Sequence, residues 1–268
     1  WDWNDGEIID VIAYTNAPIV ELFLNGKSLG KQEIDHEKGS VLHGKWAVAY
    51  EKGVLSAKAY DKNGRVIAED KRESFSDSAK LSMKSDDENL LADGRDLIFI
   101  EISALDKDGH IVENARDRVK INVFGPARLV GLDNGDSTDY DSFKGDNKRL
   151  FSGKLVAIIQ STFDNGIVTV SAKAKGLEPC KLSFEALEVP VPFGVSVVDA
   201  KKQPAVKKNE YTDEIYVRKI ELSADRKQLN KENPATVVTA KICPENASFL
   251  ALDFKLVRDN GVVADNAQ

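Results

Sequence analysis

Apolar and polar residues alternate along this chain in short runs, and almost no stretch repeats with a helical period. VELFL (20–24), KWAVAY (45–50), VLSAKAY (54–60), LIFIEISAL (97–105), VKINVF (119–124), IVTVSAKA (167–174) and KIELSA (219–224) are rich in β-branched or aromatic residues at a period of two. A period of two sends alternate side chains to opposite faces, so each run reads as a β-strand. Between the runs stand Asn25-Gly26, Asn63-Gly64, Asp108-Gly109, Asn134-Gly135, Asn165-Gly166 and Asn260-Gly261. Such pairs reach positive φ at low steric cost and favour hairpins. Many short strands at regular spacing predict an all-β chain built of sandwiches.

An internal repeat refines the picture. GVLSAKAYDKNGRVIAED (53–70) and GIVTVSAKAKGLEPCKLSFE (166–185) share a glycine, an alternating strand, a turn and a second strand. This is how the last hairpin of an immunoglobulin-like domain reads, and the expected fold is a tandem of immunoglobulin-like β-sandwich domains. We place one domain at 1–76 and a second at 77–187. Residues 188–214, with Pro190, Pro192, Pro204 and several lysines, predict an extended linker, because proline interrupts sheet pairing. Residues 215–268 open a third sandwich with about half the strands a complete one needs. That piece is expected to pair with something else, or to find its remaining strands beyond residue 268.

Composition narrows the function classes. A net charge of −7 argues against a nucleic-acid partner, and no apolar run approaches the length of a membrane span. With Trp1 in first place and a single methionine, Met83, the chain reads as part of a longer polypeptide. Two cysteines, Cys180 and Cys243, are too few for a disulfide framework or a cysteine-rich zinc site. Cys180 shares strand parity with Leu182 and Phe184 and reads as a buried free thiol.

Three groups of residues raise the question of chemistry. Gly26-Lys27-Ser28-Leu29-Gly30 satisfies G-x-S-x-G, the pattern of a hydrolase nucleophile elbow. Ser28, however, lies between two strand-like runs with no helix following, and Asn25-Gly26 already accounts for a turn. Gly30 reads as a bulge. A phosphate loop fails as well, because Glu21 stands where its first glycine belongs. The second group is GLDNGDSTDYDSFKGDNKR (131–149), with Asp133, Asn134, Asp136, Asp139 and Asp141. Its spacing does not fit a calcium loop, and short polar side chains with glycine are what an ordered loop uses on its own backbone. We read it as a structural loop and a candidate interface, with no metal and no cofactor. The third group is aromatic. Trp46, Val48 and Tyr50 share a strand face and read as core, whereas Trp1 and Trp3 precede the first clear strand. Alternation gives those two no place in that strand's core, so we expect them to dock against a neighbouring domain. Direct sugar contact is the alternative.

WDWNDGEIIDVIAYTNAPIVELFLNGKSLGK (1–31) resembles the module that follows the catalytic barrel in bacterial β-galactosidases of glycoside hydrolase family two. A Trp-x-Trp, a V-x-x-Y-T-N strand and a V-E-L-F-L-N-G-x-S-L-G hairpin occur there in this order. Residues 77–187 are similar to the family's next module through LLADGRDLIFIEISALDKDGHIVENA, GPARLVGLDNGD and SFKGDNKRLFSGKLVAIIQST. Residues 218–268 resemble a bacterial group-two immunoglobulin-like domain through ICPENAS. The resemblance covers 1–187 strongly and the tail weakly. It departs from the family pattern in the more acidic STDYDSFKGDN and at Cys243, where a polar residue is commoner.

In such enzymes the acid and the nucleophile are two glutamates on an upstream TIM barrel. No position here matches their motifs, so no catalytic residue is carried over. The resemblance implies a non-catalytic C-terminal region of a retaining β-galactosidase. It would brace the barrel of the same polypeptide or mediate domain or subunit contacts, including a homo-oligomer, in a parent expected in the periplasm or outside the cell. A carbohydrate-binding module and an adhesin-like stalk are the rival readings.

Overall fold

The computed structural model describes residues 1–37, 41–190, 209–226 and 228–257, and among them no residue is helical. The chain folds into two successive β-sandwiches followed by a two-stranded sheet.

The first sandwich sets two strands against four. Strands β1 (Ile8–Tyr14) and β4 (His43–Ala49) pair antiparallel, with Val11 opposite Trp46 and Ile9 opposite Val48. Facing them is a sheet of order β3-β2-β5-β6, formed by β2 (Ile19–Leu24), β3 (Lys27–Glu33), β5 (Val54–Tyr60) and β6 (Val66–Glu73). The core holds Val20, Leu22 and Leu55 from one sheet, and Trp46, Val48 and Tyr50 from β4 and its end, as the alternation requires. At the β2–β3 turn Asn25 and Gly26 both take positive φ, 51° and 80°, the combination that matches hairpin twist. Beyond it Leu29 and Gly30 stand together opposite Leu22, a bulge that uses Gly30 at φ 104°.

The second sandwich packs four strands on five. One sheet has the order β11-β13-β9-β7, from β7 (Lys80–Ser85), β9 (Leu97–Leu105), β11 (Ala127–Asp133) and β13 (Lys154–Ser161). The other has the order β12-β10-β14-β15-β8, from β8 (Asn89–Leu91), β10 (Arg118–Phe124), β12 (Asn147–Arg149), β14 (Gly166–Lys173) and β15 (Cys180–Leu187). Ile98, Ile100 and Ile102 of β9 interleave with Leu155 and Ile159 of β13, and face Val119, Ile121, Val168 and Val170 across the gap. Burial of each such side chain contributes about 1.5–3 kcal/mol, which makes this core the main source of stability. Cys180 and Leu182 pack partly buried against the same core beside Phe184, and burial pushes the Cys180 thiol up to about 11.

The hairpin expectation holds where the turn joins paired strands, as between β5 and β6. It fails at Asn165-Gly166, which carries the chain from β13 in one sheet to β14 in the other, and at Asn134-Gly135, which leads into the long loop before β12. A positive φ redirects the chain sharply, while the face that must be buried decides which strand receives it.

Of the segment read as a linker, residues 191–208, with Pro192 and Pro204, lie outside the described residues, as does Asn260-Gly261. Residues 209–214 lie against the second sandwich: Asn209 Nδ2 donates to Asn147 O at 2.8 Å, and Lys175 pairs with Asp213 at 2.7 Å. Beyond them β16 (Lys219–Ala224) and β17 (Val238–Cys243) form an antiparallel pair.

Candidate functional site

The hydroxyl of the G-x-S-x-G run supports a carboxylate. Ser28 Oγ donates to Glu21 Oε1 at 2.6 Å and accepts from the Gly30 amide at 3.1 Å. Tyr60 donates to the other Glu21 oxygen at 2.7 Å. These two hydroxyls hold Glu21 below the ordinary carboxylate range. The histidines are engaged elsewhere: His36 on the Ala17 carbonyl, His43 edge-on to Tyr14, and His110 beside Glu73 and Asp106. Ser28 therefore sits in a hairpin, its hydroxyl committed to holding Glu21 and paired with none of the three histidines.

The acidic loop between β11 and β12 is organised around Asp139, whose side chain is 1% exposed. It accepts from Asn134 Nδ2 at 2.8 Å and from the Asp141 amide at 2.9 Å. It also faces the fully buried Lys148 at 3.4 Å and Arg149 at 3.5 Å. Burial alone would raise its pKa. The two hydrogen bonds and the Lys148 charge outweigh burial and hold it at about 2. Asp141 pairs with the buried Arg118 at 2.8 Å. Asp133 takes the Gly135 amide at 2.9 Å, Asn134 takes the Asp136 amide at 3.1 Å, and Asp136 takes both the amide and the hydroxyl of Thr138.

The loop thus uses its acids to fix its own backbone and to neutralise two buried cations. Retaining glycoside hydrolysis needs two carboxyls about 5 Å apart that face a substrate; Asp139 and Asp141 face Lys148 and Arg118 instead. Arg118 and Lys148 were not singled out from the sequence. Each stands in a short strand, and nothing local in the sequence marks it as a cation that the fold will bury. The loop presents Tyr140, fully exposed, and Phe143, half-exposed, to solvent.

Among the described residues Asp106, Asp108 and His110 bring their ligand-type atoms within 4.8 Å of one another. Both oxygens of the buried Asp106 are already engaged: one takes the amides of Asp108 and His110, the other that of Ser76. The group closes a turn.

The two tryptophans have different surroundings. Trp1 is 7% exposed and belongs to the first sandwich's own core, edge-on to Tyr50 at 4.7 Å, with Nε1 donating to the Gly53 carbonyl at 3.3 Å. The expectation that Trp1 docks on a neighbour is corrected. Strand alternation says nothing about a residue outside the strand, and the first residues fold back so that the indole caps the end of the core. Trp3 is 45% exposed and lies beside β16 in an open cleft. With one ring sealed and one in solvent, the pair does not form a two-ring sugar platform.

Residues 81–183 match the model of the glycoside hydrolase family 2 C-terminal domain 5, and residues 6–68 match a domain of unknown function, DUF4982. A relative, beta-galactosidase BoGH2A of Bacteroides ovatus, is 33% identical over 190 residues, which is 70% of this chain and 22% of the relative. A crystal structure of a glycosyl hydrolase family 2 member from Bacteroides cellulosilyticus aligns with a TM-score of 0.65 and 29% identity. The alignment covers 70% of this chain and 24% of that one. A beta-glycosidase from Bacteroides vulgatus aligns with a TM-score of 0.63 and 32% identity, over 68% of this chain and 23% of its own. The chain spans less than a quarter of the length of these relatives. The second sandwich thus carries a glycoside hydrolase family 2 C-terminal domain, and about 70% of the chain is similar to members of that family.

Proposed function

We propose that this chain is a non-catalytic accessory region of a retaining family 2 glycoside hydrolase of the β-galactosidase type. It braces the catalytic barrel of the same polypeptide and mediates domain or subunit contacts. Its modules divide at 1–76, 77–187 and 215–268, with 188–214 between the last two. The observation that supports this reading most is the commitment of Asp139 and Asp141 to Lys148 and Arg118. These carboxylates serve to hold a loop, and a loop held so firmly is suited to contact. Purified 1–268 is expected not to hydrolyse aryl β-galactosides. Turnover that follows the protein through purification, and vanishes on replacement of one Asp or Glu, would overturn the non-catalytic reading.

A further inference from the structure

Six residues, Ser74 to Ala79, join the end of β6 to the start of β7 and are the direct covalent link between the two sandwiches. The joint is tied to each sandwich separately: Ser74 Oγ lies 3.2 Å from the Tyr50 hydroxyl, Phe75 is buried in the second core, and the Ser76 amide donates to Asp106 Oδ2 at 2.9 Å. Ion pairs running from one sandwich to the other are partly exposed: His110 Nε2 lies 3.1 Å from Glu73 Oε2, and Arg72 lies 3.9 Å from Glu113. Exposed pairs of this kind contribute little, and sandwiches joined only by them would be expected to pivot.

Arg218, from the segment before β16, crosses the joint. Its guanidinium is 8% exposed. Nε donates to Asp77 Oδ1 at 2.8 Å, and Nη2 reaches the same oxygen. Nη1 donates to Asp2 Oδ2 and lies 3.5 Å from Asn114 Oδ1. The Phe75 ring lies 5.8 Å from the guanidinium carbon. Asp2 leads into the first sandwich, Phe75 and Asp77 belong to the joint, and Asn114 belongs to the second sandwich. Next along the chain, Lys219 Nζ donates to Asp2 Oδ1 at 2.9 Å and to the Trp3 carbonyl at 2.7 Å. The same segment is anchored earlier on the second sandwich through Asn209 and Asp213.

We propose that residues 209–219 form a strap that locks the angle between the two sandwiches, with Arg218 as its clamp. Arginine suits the task because a planar fork of five donors can serve two carboxylates and an amide oxygen together, whereas a lysine ammonium is a single point. Without the guanidinium, Asp2 and Asp77 lose their shared counter-charge, and the two sandwiches keep the link itself and the partly exposed pairs that span it.

Hydrogen exchange and small-angle scattering on the full chain test this. In Arg218→Ala the amides of residues 74–79 are expected to exchange about tenfold faster, with a larger radius of gyration, while the Ile98–Ile102 core amides stay unchanged. Arg218→Lys should fall between. Unchanged exchange at 74–79 together with unchanged scattering in Arg218→Ala would overturn the clamp. If the core amides also accelerate in that variant, Asp2→Asn decides, since it leaves the Asp77 contact in place. Faster exchange confined to 74–79 then supports the strap, and no change there rejects it.

Discussion

Lys148 and Asp139 meet at 3.4 Å with both side chains shut away from solvent, an ion pair at the base of a loop whose tip carries the fully exposed Tyr140. Lys148 Nζ also donates to the Asp141 carbonyl at 3.0 Å and lies 4.8 Å from the centre of the Phe143 ring. One buried cation therefore ties three positions of the loop together. Lys148→Met should destabilise the second sandwich by about 3 kcal/mol, because it leaves a buried carboxylate with only the partly exposed Arg149 as counter-charge. Adding Asp139→Asn should recover a large part of that loss. Urea denaturation of the single and double variants measures both, and an unaltered midpoint in Lys148→Met would refute the argument.

The same pair sets a pH dependence. Asp139 sits at about 2 in the fold against an ordinary 3.8. Between those values the unfolded chain binds the proton that the folded chain refuses. The carboxylate's contribution, about 2 kcal/mol, is thus complete above about pH 4 and is lost as the pH falls through about 2. Stability followed from pH 5 downward should fall more steeply in the wild type than in Asp139→Asn. Parallel curves would show that Asp139 does not carry the effect.

Glycines at similar φ should respond differently to a methyl group. At Gly26, φ 80°, an added Cβ meets nothing within 4 Å, so Gly26→Ala should cost only the conformational strain, about 1 kcal/mol. At Gly125, φ 97°, the added Cβ would lie 2.2 Å from the Ile167 carbonyl oxygen, a backbone atom fixed at the start of β14. Gly125→Ala should therefore cost on the order of 3 kcal/mol or more, strain and overpacking together. Thermal melts of the two variants separate the cases, and equal shifts would contradict this packing.

The strands were legible because alternation is a local property. LIFIEISAL and VLSAKAY coincide with β9 and β5, and the inward set of KWAVAY became the core of the first sandwich. Partner choice was not legible. The parallel pairing of β8 with β15 brings together residues about a hundred positions apart, and no spacing in the sequence encodes it. The acidic loop was readable as self-bonding from its Asp, Asn and Gly content, but Lys148 and Arg118 were not readable as its partners. A buried cation looks like any surface lysine or arginine until the fold closes over it. For the same reason Arg218 drew no notice in the sequence: its partners lie 216 and 141 residues away.

Trp1 and Trp3 offer the sharpest contrast between the pattern and the fold, since they stand two residues apart with opposite surroundings. Trp1 fills the end of the first core against Tyr50, and its indole N–H has a carbonyl partner. Its removal leaves a cavity that the neighbouring strands cannot close, so Trp1→Ala should destabilise by about 3–5 kcal/mol. Trp3, nearly half exposed, gives up little packing, and Trp3→Ala should stay within about 1 kcal/mol of the wild type. Acrylamide quenching reports the same difference without unfolding the chain, because Trp46, the remaining tryptophan, is also buried. The quenchable fraction should vanish in Trp3→Ala and persist in Trp1→Ala. A quenchable fraction that instead disappears with Trp1 would mean that its ring, not that of Trp3, faces the solvent, and the capped core of the first sandwich would have to be redrawn.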